Sequence, residues 1–152
     1  MPYTKFISFI LLMGLLQIAR AHTESHGVIK KEIQISASAA VVDVKQLAKD
    51  KGITLFTVIN HQKGAQKVGL SLDPTYTIIL GNPKVGTPLM QSNRNIALDL
   101  PLKVVIYEEN SKTFLVLNDS SYLAKRYHLE GAQEFKKITN FMELLKKKLS
   151  HN

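Results

Sequence analysis

The sequence predicts an α+β domain: a single mixed or antiparallel sheet of about five strands with helices packed on it. Three observations predict it. Short runs that alternate apolar and polar residues are interleaved with runs at helical spacing. A pair of β-rich runs near residues 102–117 is joined by a polar turn. The chain ends in a long amphipathic segment whose apolar residues recur at +3 and +4.

The elements follow in order. Residues 32–38 alternate Ile33, Ile35 and Ala37 against Glu32, Gln34 and Ser36, the pattern of a half-buried strand. Ser38 stands where a helix N-cap is wanted, Val41, Val44, Leu47 and Ala48 follow at helical spacing, and Gly52 closes the helix. Residues 53–59 are almost wholly apolar, which predicts a strand covered on both faces. A short helix over residues 61–68, stopped by Gly69, leads to a third strand over residues 75–80. The Gly81-Asn82-Pro83 turn comes next, and Thr87 and Pro88 then read as N-cap and first residue of a short helix through Leu89 and Met90. Residues 102–107 and 113–117 form a hairpin, Asp119 and Ser120 cap a helix through Tyr127, and Phe135, Ile138, Met142, Leu145 and Leu149 stripe the last helix. The order is β-α-β-α-β-(α)-β-β-α-α.

Residues 1–21 read as a cleavable signal peptide. Lys5 precedes an apolar run from Phe6 to Leu16, and Ala19-Arg20-Ala21 supplies small residues for signal peptidase. The run is too short to cross a hydrocarbon core of about 30 Å as a helix. The expected product is an exported, periplasmic or secreted, soluble protein with no stable membrane anchor after cleavage, a polar segment over 22–31 and one domain over 32–152. The absence of cysteine fits a domain large enough to bury a core without disulfides. Of the formal charge of +8, Lys5 and Arg20 account for two, so the processed chain carries +6. No aromatic residues interleave with a basic stripe, which argues against a nucleic-acid partner.

The decamer Gly81-Asn82-Pro83-Lys84-Val85-Gly86-Thr87-Pro88-Leu89-Met90, followed by Asp99-Leu100-Pro101-Leu102-Lys103, resembles the bacterial and archaeal domain of unknown function 302 family. Ile59-Asn60-His61, Ala65 with Gly69-Leu70, Pro74-Thr75 and Tyr122-Leu123-Ala124-Lys125-Arg126 match its pattern too, so the resemblance spans most of the domain. It implies a small fold like that of TATA-binding-protein domains, one sheet with helices on one side, and it implies no activity. The family usually has Asp before the His, where this chain has Asn60. A role that needs a carboxylate beside His61 is thereby weakened.

The chemistry-bearing residues are few. Gly81 and Gly86 have the spacing that opens a phosphate loop, but Thr87-Pro88 stand where Lys and Ser/Thr are required, which excludes a Walker site. A helix start beside Lys84 suits a small anionic ligand, against the plainer reading of a tight turn. The ligand-binding candidates are Asn82, Lys84, Gly86, Thr87 and His61. His61 closes the second strand, where strand ends open onto pockets, and Asp99 is a carboxylate in apolar company that also suits a turn.

Cleavage after Ala21 would leave His22 with a free α-amine, a copper chelate that His26 joins if that segment is helical. No nucleophile motif occurs, and Glu108 and Glu109, adjacent in a strand, point to opposite faces. Three functions follow. The first is a non-catalytic module that binds a small ligand or partner protein. The second is a periplasmic metal-binding protein using His61, or His22 with His26. The third is a small hydrolase or isomerase with His61 as base and Asp99 as its orienter. The pattern does not indicate an enzyme and names no cofactor. Homodimerisation through a sheet edge is compatible with so small a domain.

Overall fold

The computed structural model describes residues 27–150. Five strands, β1 (Val28–Ile33), β2 (Thr54–Asn60), β3 (Thr75–Gly81), β4 (Leu102–Glu109) and β5 (Lys112–Asn118), form one sheet in the order β1-β5-β4-β3-β2. Every neighbouring pair is antiparallel, so of the two sheet types expected the structure takes the antiparallel one. The helices are α1 (Ala37–Asp50), α2 (His61–Lys67), α3 (Pro83–Ser92), α4 (Ser120–Arg126) and α5 (Glu134–Lys148), with a 3-10 turn over Arg94–Leu98.

The core lies on one face of the sheet. Ile78, Leu80, Val104, Ile106, Leu115 and Leu117 alternate inward along the three central strands. Helix α1 closes on them through Ala37, Ala40, Val41, Val44 and Ala48, whose small side chains let its backbone approach β2, β3 and β4. Helix α5 forms an outer layer against α1, α3 and α4, burying Phe135, Ile138, Phe141, Met142 and Leu145. Its last turn carries Lys146, Lys147 and Lys148, cations at the negative end of the helix dipole.

Four expectations are corrected. The first strand runs from Val28 to Ile33, starting inside the 22–31 stretch read as a polar lead-in and ending five residues before Ser38, because Lys30 and Glu32 point to the uncovered face while Ile29 packs against the core. The N-cap of α1 is Ser36, whose Oγ accepts from the Ala39 amide at 3.3 Å, and Ser38 only hydrogen-bonds Ser36. Strand β2 is not covered on both faces. It is an edge strand, with Leu55, Phe56 and Ile59 exposed at 37%, 53% and 41%. The hairpin turn is Asn110-Ser111 alone, both residues at positive φ, which matches the twist of the two strands it joins and lengthens them by absorbing Glu108, Glu109 and Lys112. Glu108 and Glu109 do diverge: Glu108 accepts from the Ala37 amide at the start of α1 (2.8 Å), while Glu109 faces Lys30 at 3.9 Å.

Candidate functional site

The exit of β3 is built differently from its sequence reading. Helix α3 starts five residues earlier than Thr87-Pro88 predicts, because Asn82 and Pro83 provide the same signal first. The Asn82 side chain accepts from the Lys84 amide at 2.9 Å, and Pro83, with φ already fixed, occupies the first helical position. Thr87 and Pro88 are therefore inside the helix, and Pro88 has no N–H to give to the Lys84 carbonyl. The amides at this helix start are committed. Lys84 donates to the Asn82 side chain, and Val85 and Gly86 donate to the Asn82 carbonyl at 2.8 and 2.9 Å. The first-turn amides of α3 are thus taken up within the helix start and do not face outward for the anion that the loop suggested.

What α3 does build is an apolar cavity of about 170 Å³ against the first residues of β4. Gly86, Thr87 and Met90 line it from α3, Leu100 and Pro101 from the segment before β4, and Phe56 from β2. The peptide between Leu100 and Pro101 is cis. Phe56 reaches the cavity because β2 is irregular: the register slips between Leu55 and Thr57, and a bulge re-aims the side chain it carries. Its ring comes within 3.5 Å of where a Cβ on Gly81 would lie. Gly86 keeps the chamber open, since a Cβ there would reach Leu100 and Met90 at 3.8 Å. A second chamber of about 320 Å³ shares Gly81, Asn82, Val85, Leu102 and Ile138 with the first, and Lys51, Lys137 and Asn140 lie on its wall.

His61 is elsewhere. Its Nε2 is 2.9 Å from Thr77 Oγ1, near the start of β3. Thr77 is next to the buried Ile78 and so points to the face that α1 does not cover. From Thr77 to Gly81 is about 13 Å of strand at ~3.3 Å per residue, so His61 is not part of the chamber. Asn60 caps α2, its Oδ1 accepting from the Lys63 amide at 2.9 Å. Asn and Asp serve that role alike, which accounts physically for an Asn where Asp was expected.

Asp99 lies at the other end of β3 from His61, three residues before the Leu102 that pairs with Leu80. Its carboxylate accepts from the Tyr127 hydroxyl at 2.5 Å and faces Arg126 at 3.3 Å. The Asn93 side chain donates to the Tyr127 carbonyl at 3.0 Å. Together these tie the end of α4 to the 3-10 turn. Burial pushes the Tyr127 hydroxyl above its usual pKa, and the adjoining Asp99 adds to the rise. The base–orienter pair His61 and Asp99 is thus not assembled, since β3 separates them.

Among the described residues no group of three or more His, Cys, Asp or Glu is placed to hold a metal. His22 and His26 lie outside the described residues. Ser120 Oγ is 2.7 Å from Thr139 Oγ1, which donates to the Phe135 carbonyl, so that serine links α4 to α5. Sequence reasoning missed Phe56, Met90, Leu100 and Pro101. The bulge that turns Phe56 has no signal in sequence, whereas Leu100-Pro101 was in view as part of the family motif and gave no hint that it lines a cavity.

Comparison with known proteins places this geometry. The profile of the family described as domain of unknown function DUF302 matches residues 29–145. A crystal structure of an uncharacterized conserved protein DUF302 from Bacillus stearothermophilus superposes with a TM-score of 0.72 at 16% identity, covering 82% of this chain and 99% of that one. Fluoride-specific ion channel FluC 1 of Brucella suis biovar 1 is 41% identical over 104 residues, 68% of this chain and 41% of that protein. FluC 1 of Brucella abortus biovar 1 is also 41% identical over 104 residues, 38% of its length. The chain spans about two fifths of the length of these curated relatives. It belongs to the DUF302 family.

Proposed function

We propose that this DUF302 domain is an exported, non-catalytic module that binds a small, largely apolar ligand in the chamber between α3, Pro101 and Phe56. The observation that carries the reading is Gly86. It occupies the interior of a ten-residue helix, where Ala would be favoured by about 1 kcal/mol, and the space left by its missing side chain is part of the chamber. The chamber's lining is mainly apolar, with Asn82 and Thr87 as the polar side chains, the composition usual in small-molecule sites. The channel activity in the names of the Brucella relatives belongs to much longer chains and is not carried over. Export rests on the Lys5, Phe6–Leu16 and Ala19-Arg20-Ala21 pattern.

Titration of the 15N-labelled protein with a neutral probe, 1-hexanol, tests the binding reading. Saturable amide shifts at Phe56, Gly81, Gly86 and Met90, with His61 unmoved, are expected. Shifts that fail to saturate, or that centre on His61, would overturn it. Intact mass of the protein recovered outside the cytoplasm tests export, which requires a chain beginning at His22.

A further inference from the structure

The two chambers differ in polarity, and the difference is directional. The first is walled by Met90, Leu100, Pro101 and Phe56 and carries no charged side chain. The second, across Val85 and Ile138, has Lys51 from the end of α1 and Lys137 from α5. No acidic residue lines either chamber. Neither lysine side chain has an ion-pair or hydrogen-bond partner among the described residues, so no carboxylate competes with a ligand for them. Two uncompensated cations beside an apolar chamber complement one anionic group attached to a hydrocarbon.

Resting on the binding reading above, we propose that the site takes a medium-chain monocarboxylate, its hydrocarbon in the first chamber and its carboxylate at Lys137 and Lys51. The Asn140 amide, on the same wall, is a further donor within the second chamber. The apolar chamber sets the chain length and the lysines set the sign of the head group. Each methylene that enters the chamber raises affinity about fourfold, and entry stops when the chamber is full.

Calorimetric titration of the purified chain with butanoate, hexanoate and octanoate, beside 1-hexanol and hexylammonium, tests the proposal. The expected result is a fourfold rise per methylene that levels off. Hexanoate should bind about tenfold more tightly than 1-hexanol, by an advantage that shrinks with salt. In the Lys51→Gln, Lys137→Gln double variant, hexanoate should fall to the affinity of 1-hexanol while 1-hexanol itself is unchanged. Equal binding of hexanoate and 1-hexanol by the unmodified chain, or tighter binding of hexylammonium, overturns the head-group assignment and leaves the chamber standing. If 1-hexanol does not bind either, the binding reading falls with it.

Discussion

Replacing Gly86 by Ala separates a structural glycine from one that keeps a chamber open. Gly86 lies in the interior of α3 and is not among the glycines held at positive φ. The added Cβ meets Leu100 and Met90 at 3.8 Å, ordinary van der Waals contact, so nothing must move. The helix gains about 0.5–1 kcal/mol from the lost backbone freedom of glycine, and the methyl fills space now open. For a domain of this size that gain raises Tm by about 2–6 °C. The same methyl takes up room otherwise available to about one methylene of a ligand, and 1-hexanol should bind about fourfold less tightly. Differential scanning calorimetry and the hexanol titration measure the two effects on one preparation. A variant that gains stability and keeps full affinity would refute the chamber as the binding site. One that loses stability would show that Gly86 is held for backbone geometry instead.

Tyr127→Phe removes the hydroxyl that Asp99 accepts and should cost about 1–2 kcal/mol in urea denaturation, with hexanol affinity unchanged. The folded pKa of Tyr127 lies above its unfolded value near 10.0, so this contribution is intact below pH 10 and declines as pH rises beyond it; stability curves of the two proteins should converge only in strong alkali. Asp119→Ala removes the side chain that accepts from the Ser121 and Tyr122 amides at the start of α4, a loss of about 1 kcal/mol at pH 7. The hydrogen bond from Ser121 holds the Asp119 carboxyl below its usual pKa, so its contribution is full above the unfolded value near 3.8 and is lost as pH falls through the folded one; wild type and variant should denature alike in acid. His61→Ala breaks an exposed contact with Thr77 and should leave hexanol affinity unchanged, with a stability change within about 0.5 kcal/mol. A large loss of affinity would return His61 to the site.

How legible each part was in the sequence depended on whether the signal was local. Gly52 and Gly69 ended their helices where expected because a C′ residue at positive φ is a local requirement, and they sit at φ 62° and 75°. The stripe from Phe135 to Leu149 was buried as read because helical periodicity survives packing against almost any apolar surface. Strand β2 was misread because an uncharged apolar run looks the same at an edge as at the centre of a sheet, and only pairing distinguishes the two. The opposite edge is plainer in sequence, with Lys30, Lys31 and Glu32 on β1, the charged residues that discourage further strand pairing. At α3, Asn82-Pro83 and Thr87-Pro88 carried the same start signal five residues apart, and nothing local ranks one above the other. The Gly81–Met90 segment, read as a loop opening into a short helix, is almost entirely helix α3, and its Asn82, Gly86 and Thr87 line the cavity. Its partners Phe56 and Leu100-Pro101 come from other elements, and a bulge and a crossing of the fold bring them there.

Several departures from local stability rules fall around α3. Gly86 and Pro88 both interrupt the interior of α3, one through backbone entropy and the other through a missing amide. Phe56 leaves 53% of its surface in water at the only register slip between β2 and β3. Lys51 and Lys137 both line the second chamber, which no acidic residue lines. All five residues line or adjoin the two chambers beside α3. At the His61 end of β3, Asn60 caps α2, Gly69 ends it and the imidazole has a partner in Thr77, while Gly64 interrupts α2 without lining either chamber. What distinguishes Gly86 from Gly64 is that the space left by its missing side chain opens onto an apolar cavity faced by Phe56 and Leu100. That convergence on one cavity, more than the volume of either chamber, is why the binding proposal is placed beside α3 and not at His61.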